Sequence, residues 1–141
     1  MTVDAYLDRI GLSPSAVDST TRSTLARLQH AHVTTVPFEN LSIVDDRYGQ
    51  GRGVSLSRSS FYEKIVERRR GGYCFELNGL FHDLLAALGY TVERVAARVA
   101  SALRTPDNHH VNLVSLDQPY VVDVGTGPPM LRMPLPLDGT P

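Results

Sequence analysis

Apolar residues recur at helical spacing up to Gly89 and at a spacing of two beyond it, and this change of period most constrains the fold. Leu77, Phe81, Leu84, Leu85 and Leu88 form one stripe of a helix expected from near Tyr73 to Gly89, where the glycine supplies a left-handed cap. Three more helices are expected upstream. Thr2 can cap a short one carrying Val3, Tyr6, Leu7 and Ile10, closed by Gly11. A second should run from near Asp18 to Val33 with Leu25 and Leu28 inward, stopping before Pro37. Ser57 caps a third, with Phe61, Ile65 and Val66 inward and Gly71-Gly72 breaking it, while Asp45 to Gly53 reads as a glycine-rich loop. Past Gly89, the stretches Val92 to Val99, His110 to Leu116 and Tyr120 to Val124 read as strands, the last two joined by a turn at Asp117-Gln118-Pro119.

Helices first and strands after predict an α+β fold, with a helical bundle over residues 1–89 leading into an antiparallel β unit over 90–141. After Gly125 come Pro128, Pro129, Pro134, Pro136 and Pro141, so the tail is not expected to continue a sheet interior or build another packed layer. Three strands alone leave sheet edges open, and the chain is expected to stop inside a domain.

A 42% hydrophobic content over 141 residues is enough for a core. With 14 Lys and Arg against 15 Asp and Glu, nothing in the charge balance favours nucleic acid or a membrane surface. The run Arg68-Arg69-Arg70 suits a solvated helix C-terminus, with Arg70 as a candidate exception. No stretch approaches membrane-spanning length or the apolar run of a signal peptide. One cysteine cannot form an intramolecular disulfide and no Cys/His spacing resembles a zinc site, so no metal is expected and a reducing, cytoplasmic setting fits.

That cysteine, Cys74, opens the longest expected helix directly after Gly71-Gly72-Tyr73. Unpaired N–H groups and the helix dipole stabilise a thiolate there, although a lone cysteine can equally be a small buried hydrophobe. A nucleophilic cysteine needs a base and a group to orient it. His109 and His110 begin one expected strand and Asp123 ends the next, so a hairpin between them would set a histidine beside Asp123. An aspartate within Val121-Val122-Asp123-Val124 is costly to bury alone, yet Asp123 could instead cap the turn at Gly125 to Gly127, and either histidine could lie at the surface.

Arg70-Gly71-Gly72-Tyr73-Cys74-Phe75-Glu76-Leu77-Asn78 resembles the RGGxCxELN motif of arylamine N-acetyltransferases. Val36-Pro37-Phe38-Glu39-Asn40-Leu41 resembles their VPFENL motif, and Val122-Asp123-Val124-Gly125 their V-D-V-G segment. The resemblance implies a cysteine-protease-like triad of Cys74, His109 and Asp123 within a helical bundle and an incomplete antiparallel β-barrel domain. His109 is preferred over His110 because family members place the triad histidine shortly after a proline, here Pro106, and ahead of apolar residues ending in Leu-Val, here Leu113-Val114.

The resemblance further implies acetyl-CoA as acyl-donor cosubstrate, no permanently bound cofactor, an arylamine or hydrazine as acceptor, and ping-pong transfer through an acetyl-cysteine; it assigns no cofactor-binding residues. Glu39, Glu76 and Asn78 read as buried hydrogen-bonding supports, with Arg70 a candidate for the same role. Family members carry an aromatic after the V-D-V-G glycine where this chain has Thr126. They are also longer, so truncation is expected to weaken the pocket and to leave a surface for self-association. A thiol hydrolase or transglutaminase-like enzyme and a non-catalytic binding module are the alternatives.

Overall fold

A computed structural model describes residues 2–44, 55–98, 108–128 and 130–139. Helix α1 (Val3–Arg9) is followed by a 3-10 turn at Pro14–Ala16, α2 (Arg22–Thr35), a single turn α3 (Leu41–Val44), α4 (Arg58–Tyr62) and α5 (Cys74–Ala87). Strands β1 (Thr91–Ala97), β2 (His109–Ser115), β3 (Pro119–Val122) and β4 (Leu135–Pro136) form one antiparallel sheet in that order. No described helix is long and apolar enough to cross a membrane.

Helix α5 is the centre of the molecule. Its stripe of Leu77, Leu80, Phe81, Leu84 and Leu85 is buried against Tyr6, Leu7, Leu25, Leu28, Phe61 and Ile65, and the same core continues across Gly89 to Val114 and Val122. Gly89 takes the left-handed conformation (φ 91°) that ends α5, and the chain turns directly into β1. Helix packing and sheet packing thus share one apolar interior.

Several boundaries differ from those expected, each for a local reason. Thr2 occupies the N-cap position of α1 without capping it, because its hydroxyl is bonded to the Tyr62 hydroxyl instead (3.0 Å). Helix α2 begins at Arg22 rather than near Asp18, since Thr21 supplies the cap by accepting from the Thr24 N–H. Ser57 caps α4 as expected. That helix, however, widens into a π turn over Glu63–Glu67 and ends before the glycines, with Arg69 in the left-handed region (φ 50°). Gly71 and Gly72 serve a different purpose, described below.

The proline-rich tail stays out of the sheet interior as expected but adds a fourth strand to the three anticipated, because Leu135–Pro136 pairs with Val121 and Tyr120 at the edge. Proline is tolerated at an edge, where no outward N–H is required, and the Leu137 N–H donates to Pro119 O (2.9 Å) to close the pairing. The expected loop at Asp45 to Gly53, the end of the first strand at Val99, and Pro106 lie outside the described residues.

Two buried polar residues stand out in the core. Arg9 donates from its guanidinium to the carbonyls of Ile65, Thr35, Arg69 and Arg70, tying α1 to the C-terminal ends of α2 and the π turn. His32 is fully buried between the rings of Tyr6 and Phe81, with no partner for either ring nitrogen among the described residues, and burial pushes its pKa down to about 3. Below its ordinary value of about 6.5 the unfolded chain binds a proton that the native state refuses, so stability is lost as pH falls through that window toward 3. Denaturant unfolding should show His32 alone costing about 2 kcal/mol between pH 7 and pH 5. Replacing it by leucine should remove that part of the slope, and an unchanged slope in His32→Leu would contradict the assignment.

Candidate active site

Cys74 is the first residue of α5, and what places it there is a close approach of two backbones. Gly72 forms a parallel bridge with Phe38, with the Glu39 N–H donating to Gly72 O (2.9 Å) and the Gly72 N–H to Pro37 O (3.3 Å). A Cβ on Gly71 would lie 2.0 Å from Pro37 O, so only glycine fits. The segments carrying Pro37-Phe38-Glu39 and Gly71-Gly72-Tyr73 are therefore one structural unit. Glu76, three residues into the helix, reaches back to accept from the Tyr73 N–H (3.1 Å), half of a capping box.

On the sheet, β2 and β3 pair with Asn112 opposite Val122, which brings the start of β2 beside the residues leaving β3. His109 Nε2 lies 2.6 Å from Asp123 Oδ2, with both residues buried. Asp123 Oδ1 accepts from Asn78 Nδ2 (2.9 Å) and from the Gly125 N–H (2.8 Å), so the carboxylate both closes the turn and holds the histidine. Three donors compensate its removal from water. Nε2 is committed to Asp123, which leaves Nδ1 as the ring nitrogen able to face another group. The hydrogen bond to Asp123 first, and the Cys74 side chain second, raise the His109 pKa from 6.5 to about 9 against the opposing effect of burial. His109 is therefore an imidazolium at neutral pH.

His110 faces elsewhere. Its ring sits against Phe75 (centroids 6.1 Å apart), its Nε2 has no partner among the described residues, and its pKa is lowered, chiefly by burial and then by Arg94, His82 and His109. Of the two adjacent histidines it is His109 that pairs with Asp123.

A family model described as N-acetyltransferase matches residues 21–141. An arylamine N-acetyltransferase / N-hydroxyarylamine O-acetyltransferase of Salmonella typhimurium is 37% identical over 137 residues, covering 94% of this chain and 46% of that protein. The chain belongs to the arylamine N-acetyltransferase family. The solved arylamine N-acetyltransferase of Salmonella typhimurium superposes with a TM-score of 0.86 at 36% identity, covering 97% of this chain and 50% of that one. That of Mycobacterium marinum, determined in complex with CoA, superposes with a TM-score of 0.79 at 38% identity, covering 96% and 51%. The chain thus spans about half the length of the relatives it matches.

The family motifs acquire physical content in this geometry. Asn78, the last residue of the RGGxCxELN match, makes three bonds: its Nδ2 donates to Asp123 and to His110 O, and its Oδ1 accepts from the Val124 N–H (2.9 Å). It locks the helix to the outgoing strand one turn after the cysteine. Arg70 Nη2 lies 2.9 Å from Glu39 Oε1 and 3.2 Å from Ser42 Oγ, joining the two motif segments. The Glu39 side chain keeps 14% exposure, and its Oε2 accepts from the Leu41 N–H (2.7 Å).

Three contributors carry no motif signature or were passed over. Gln29 on α2 donates to Asp123 O (3.3 Å) and Leu131 O (2.8 Å), and Asn112 Nδ2 donates to Asn78 O (3.0 Å). Neither is foreshadowed beyond being a polar residue on an otherwise apolar face. Lys64 on the π turn touches Glu76 and Glu39, and its signal was plain in hindsight, since it is the one lysine in the sequence. Among the described residues no three His, Cys, Asp or Glu side chains group as a metal site.

The glycine of V-D-V-G is a contact point rather than a hinge. A Cβ on Gly125 would lie 2.7 Å from Cys74 Cα and 2.9 Å from Asn78 Nδ2, against the rigid first turn of α5. Gly125→Ala should lower stability by about 1–3 kcal/mol in urea unfolding. It should also slow Cys74 alkylation by iodoacetamide at least about tenfold, because displacement of this order ruins a hydrogen-bonded pair. Alkylation at the parent rate would show that this approach does not hold the site.

Proposed function

We propose that this chain carries the catalytic machinery of an acetyl-CoA-dependent arylamine N-acetyltransferase, with Cys74 as nucleophile, His109 as proton carrier and Asp123 as the group that orients and charges His109. The observation that supports this most is the buried His109–Asp123 pair, 2.6 Å apart, with Cys74 at the head of α5 acting electrostatically on the same imidazole. The CoA complex of the Mycobacterium marinum relative supports CoA as the carrier of the acyl group, and the relatives' names support an aromatic amine as acceptor.

The chemistry follows from the proton inventory. The Cys74 thiolate attacks the thioester carbonyl of acetyl-CoA, forming a C–S bond, and the carbonyl electrons move to oxygen beside the N–H groups of the first turn of α5. Collapse breaks the bond to the CoA sulfur, which leaves with the imidazolium proton of His109. The amine nitrogen then attacks the acetyl-cysteine and gives a proton to the now neutral His109. Release of the amide regenerates the thiolate and the imidazolium. Asp123 stays ionised throughout, holding the ring by Nε2.

Half-reactions separate this reading from its rivals. Mixing the chain with acetyl-CoA should place one acetyl group on Cys74, detected by peptide mass spectrometry, and an added arylamine or hydrazine should remove it as the amide. Acetyl lost to water at the same rate with or without amine would favour a thiol hydrolase. Absence of any adduct under conditions where the chain is folded would contradict the proposal. Cys74→Ser should abolish acetylation, and His109→Ala should slow it by about 10²-fold or more while His110→Ala changes it by less than about tenfold. The reverse ranking of the two histidines would transfer the role to His110.

A further inference from the structure

Lys64 stands alone as the one lysine among 14 Lys and Arg residues, and it occupies an unusual place. The π turn at Glu63–Glu67, closed by the Arg68 N–H donating to Glu63 O (2.9 Å), draws Lys64 out of solvent together with the buried Ile65 and Val66. The lysine side chain retains only 13% exposure. Its ammonium lies 2.7 and 3.0 Å from the two oxygens of Glu76 and 3.3 Å from Oε1 of Glu39, the oxygen that Arg70 also holds at 2.9 Å. Charges therefore alternate along Glu76, Lys64, Glu39 and Arg70 around the head of α5.

Glu76 creates the need for this cation. Its carboxylate caps α5 through the Tyr73 N–H, two residues from Cys74. An acid in the first turn stabilises the helix but draws on the same positive helix end that a thiolate requires, and repels that thiolate directly. Both groups are felt at one point, since the Tyr73 phenol is pushed up to about 12, first by burial and then by Glu76 and Cys74.

We propose that Lys64 is a positioning residue for the nucleophile, cancelling the Glu76 carboxylate so that Glu76 can cap α5 without suppressing the Cys74 thiolate. The inference rests on the reading of Cys74 as nucleophile and extends it to a residue that contacts neither substrate nor the reacting atoms. A merely structural Lys64 would staple the π turn to α5 and nothing more.

The two roles separate in a charge-neutralisation cycle read by iodoacetamide alkylation of Cys74 near neutral pH. Lys64→Met should slow alkylation about tenfold, the order expected when one close charge is left uncompensated. Glu76→Gln added to that variant should restore the rate to within about threefold of the parent, although the staple is still missing, because the glutamine oxygen still accepts from Tyr73 while the negative charge is gone. Glu76→Gln alone should be alkylated at least as fast as the parent, which keeps the test decisive if Lys64→Met fails to fold. Alkylation of Lys64→Met at the parent rate, a double variant as slow as folded Lys64→Met, or a slowed Glu76→Gln would each overturn the proposal. Failure of the underlying reading looks different, since the unsubstituted chain would then take no acetyl from acetyl-CoA on Cys74.

Discussion

The structure depends on a carboxylate that has been taken out of water. Asp123 is 2% exposed, and an isolated charge there would be untenable, so every element around it supplies a donor or a wall. Helix α5 contributes Asn78, the turn after β3 contributes the Gly125 N–H, and β2 contributes His109. These bonds dock the sheet on the end of α5 that carries Cys74. The requirement to satisfy one buried acid thus ties the histidine, the helix that begins at Cys74 and the turn after β3 to one point, which is the arrangement the proposed chemistry uses.

Glycines make that arrangement possible by allowing backbones to touch. Gly71 lets the Pro37 carbonyl pass at a distance no side chain permits, and Gly125 does the same at Cys74 Cα. Around them run two polar systems of different character. The Asp123 system is buried and lies on the sheet side of Cys74. The Glu76, Lys64, Glu39 and Arg70 system lies on the other side, is partly exposed, and joins the two motif segments by ion pairs.

Much of this was legible in the residues. The stripe from Leu77 to Leu85, the Gly89 cap, the Ser57 cap and the hairpin turn at Asp117-Pro119 are local signals, and the structure carries each of them. The motifs brought Cys74, Asn78 and Asp123 to attention, and the two readings of Asp123 as turn cap and as histidine partner proved to describe its two oxygens. What local pattern could not show was long-range. The edge strand at Leu135–Pro136 depends on Tyr120 and Val121 being free to pair, the left-handed Arg69 on a π turn that no spacing rule marks, and the links from Gln29 and Lys64 on partners many residues away. Composition holds one further clue, because the one lysine of the sequence is the cation that meets both Glu76 and Glu39.

The account stands on the charge state of one imidazole, and that state can be observed directly. Nuclear magnetic resonance of the ring nitrogens of His109 in the folded chain, assigned by comparison with His109→Ala and followed from acid to alkaline pH, should show both nitrogens protonated through neutrality and a titration near 9. In Asp123→Asn the same signals should titrate lower, since the bond that raises the value most is lost. A His109 ring that is neutral at pH 7 and titrates near 6.5 whether or not Asp123 is ionisable would contradict the claim that the buried carboxylate charges the histidine beside Cys74.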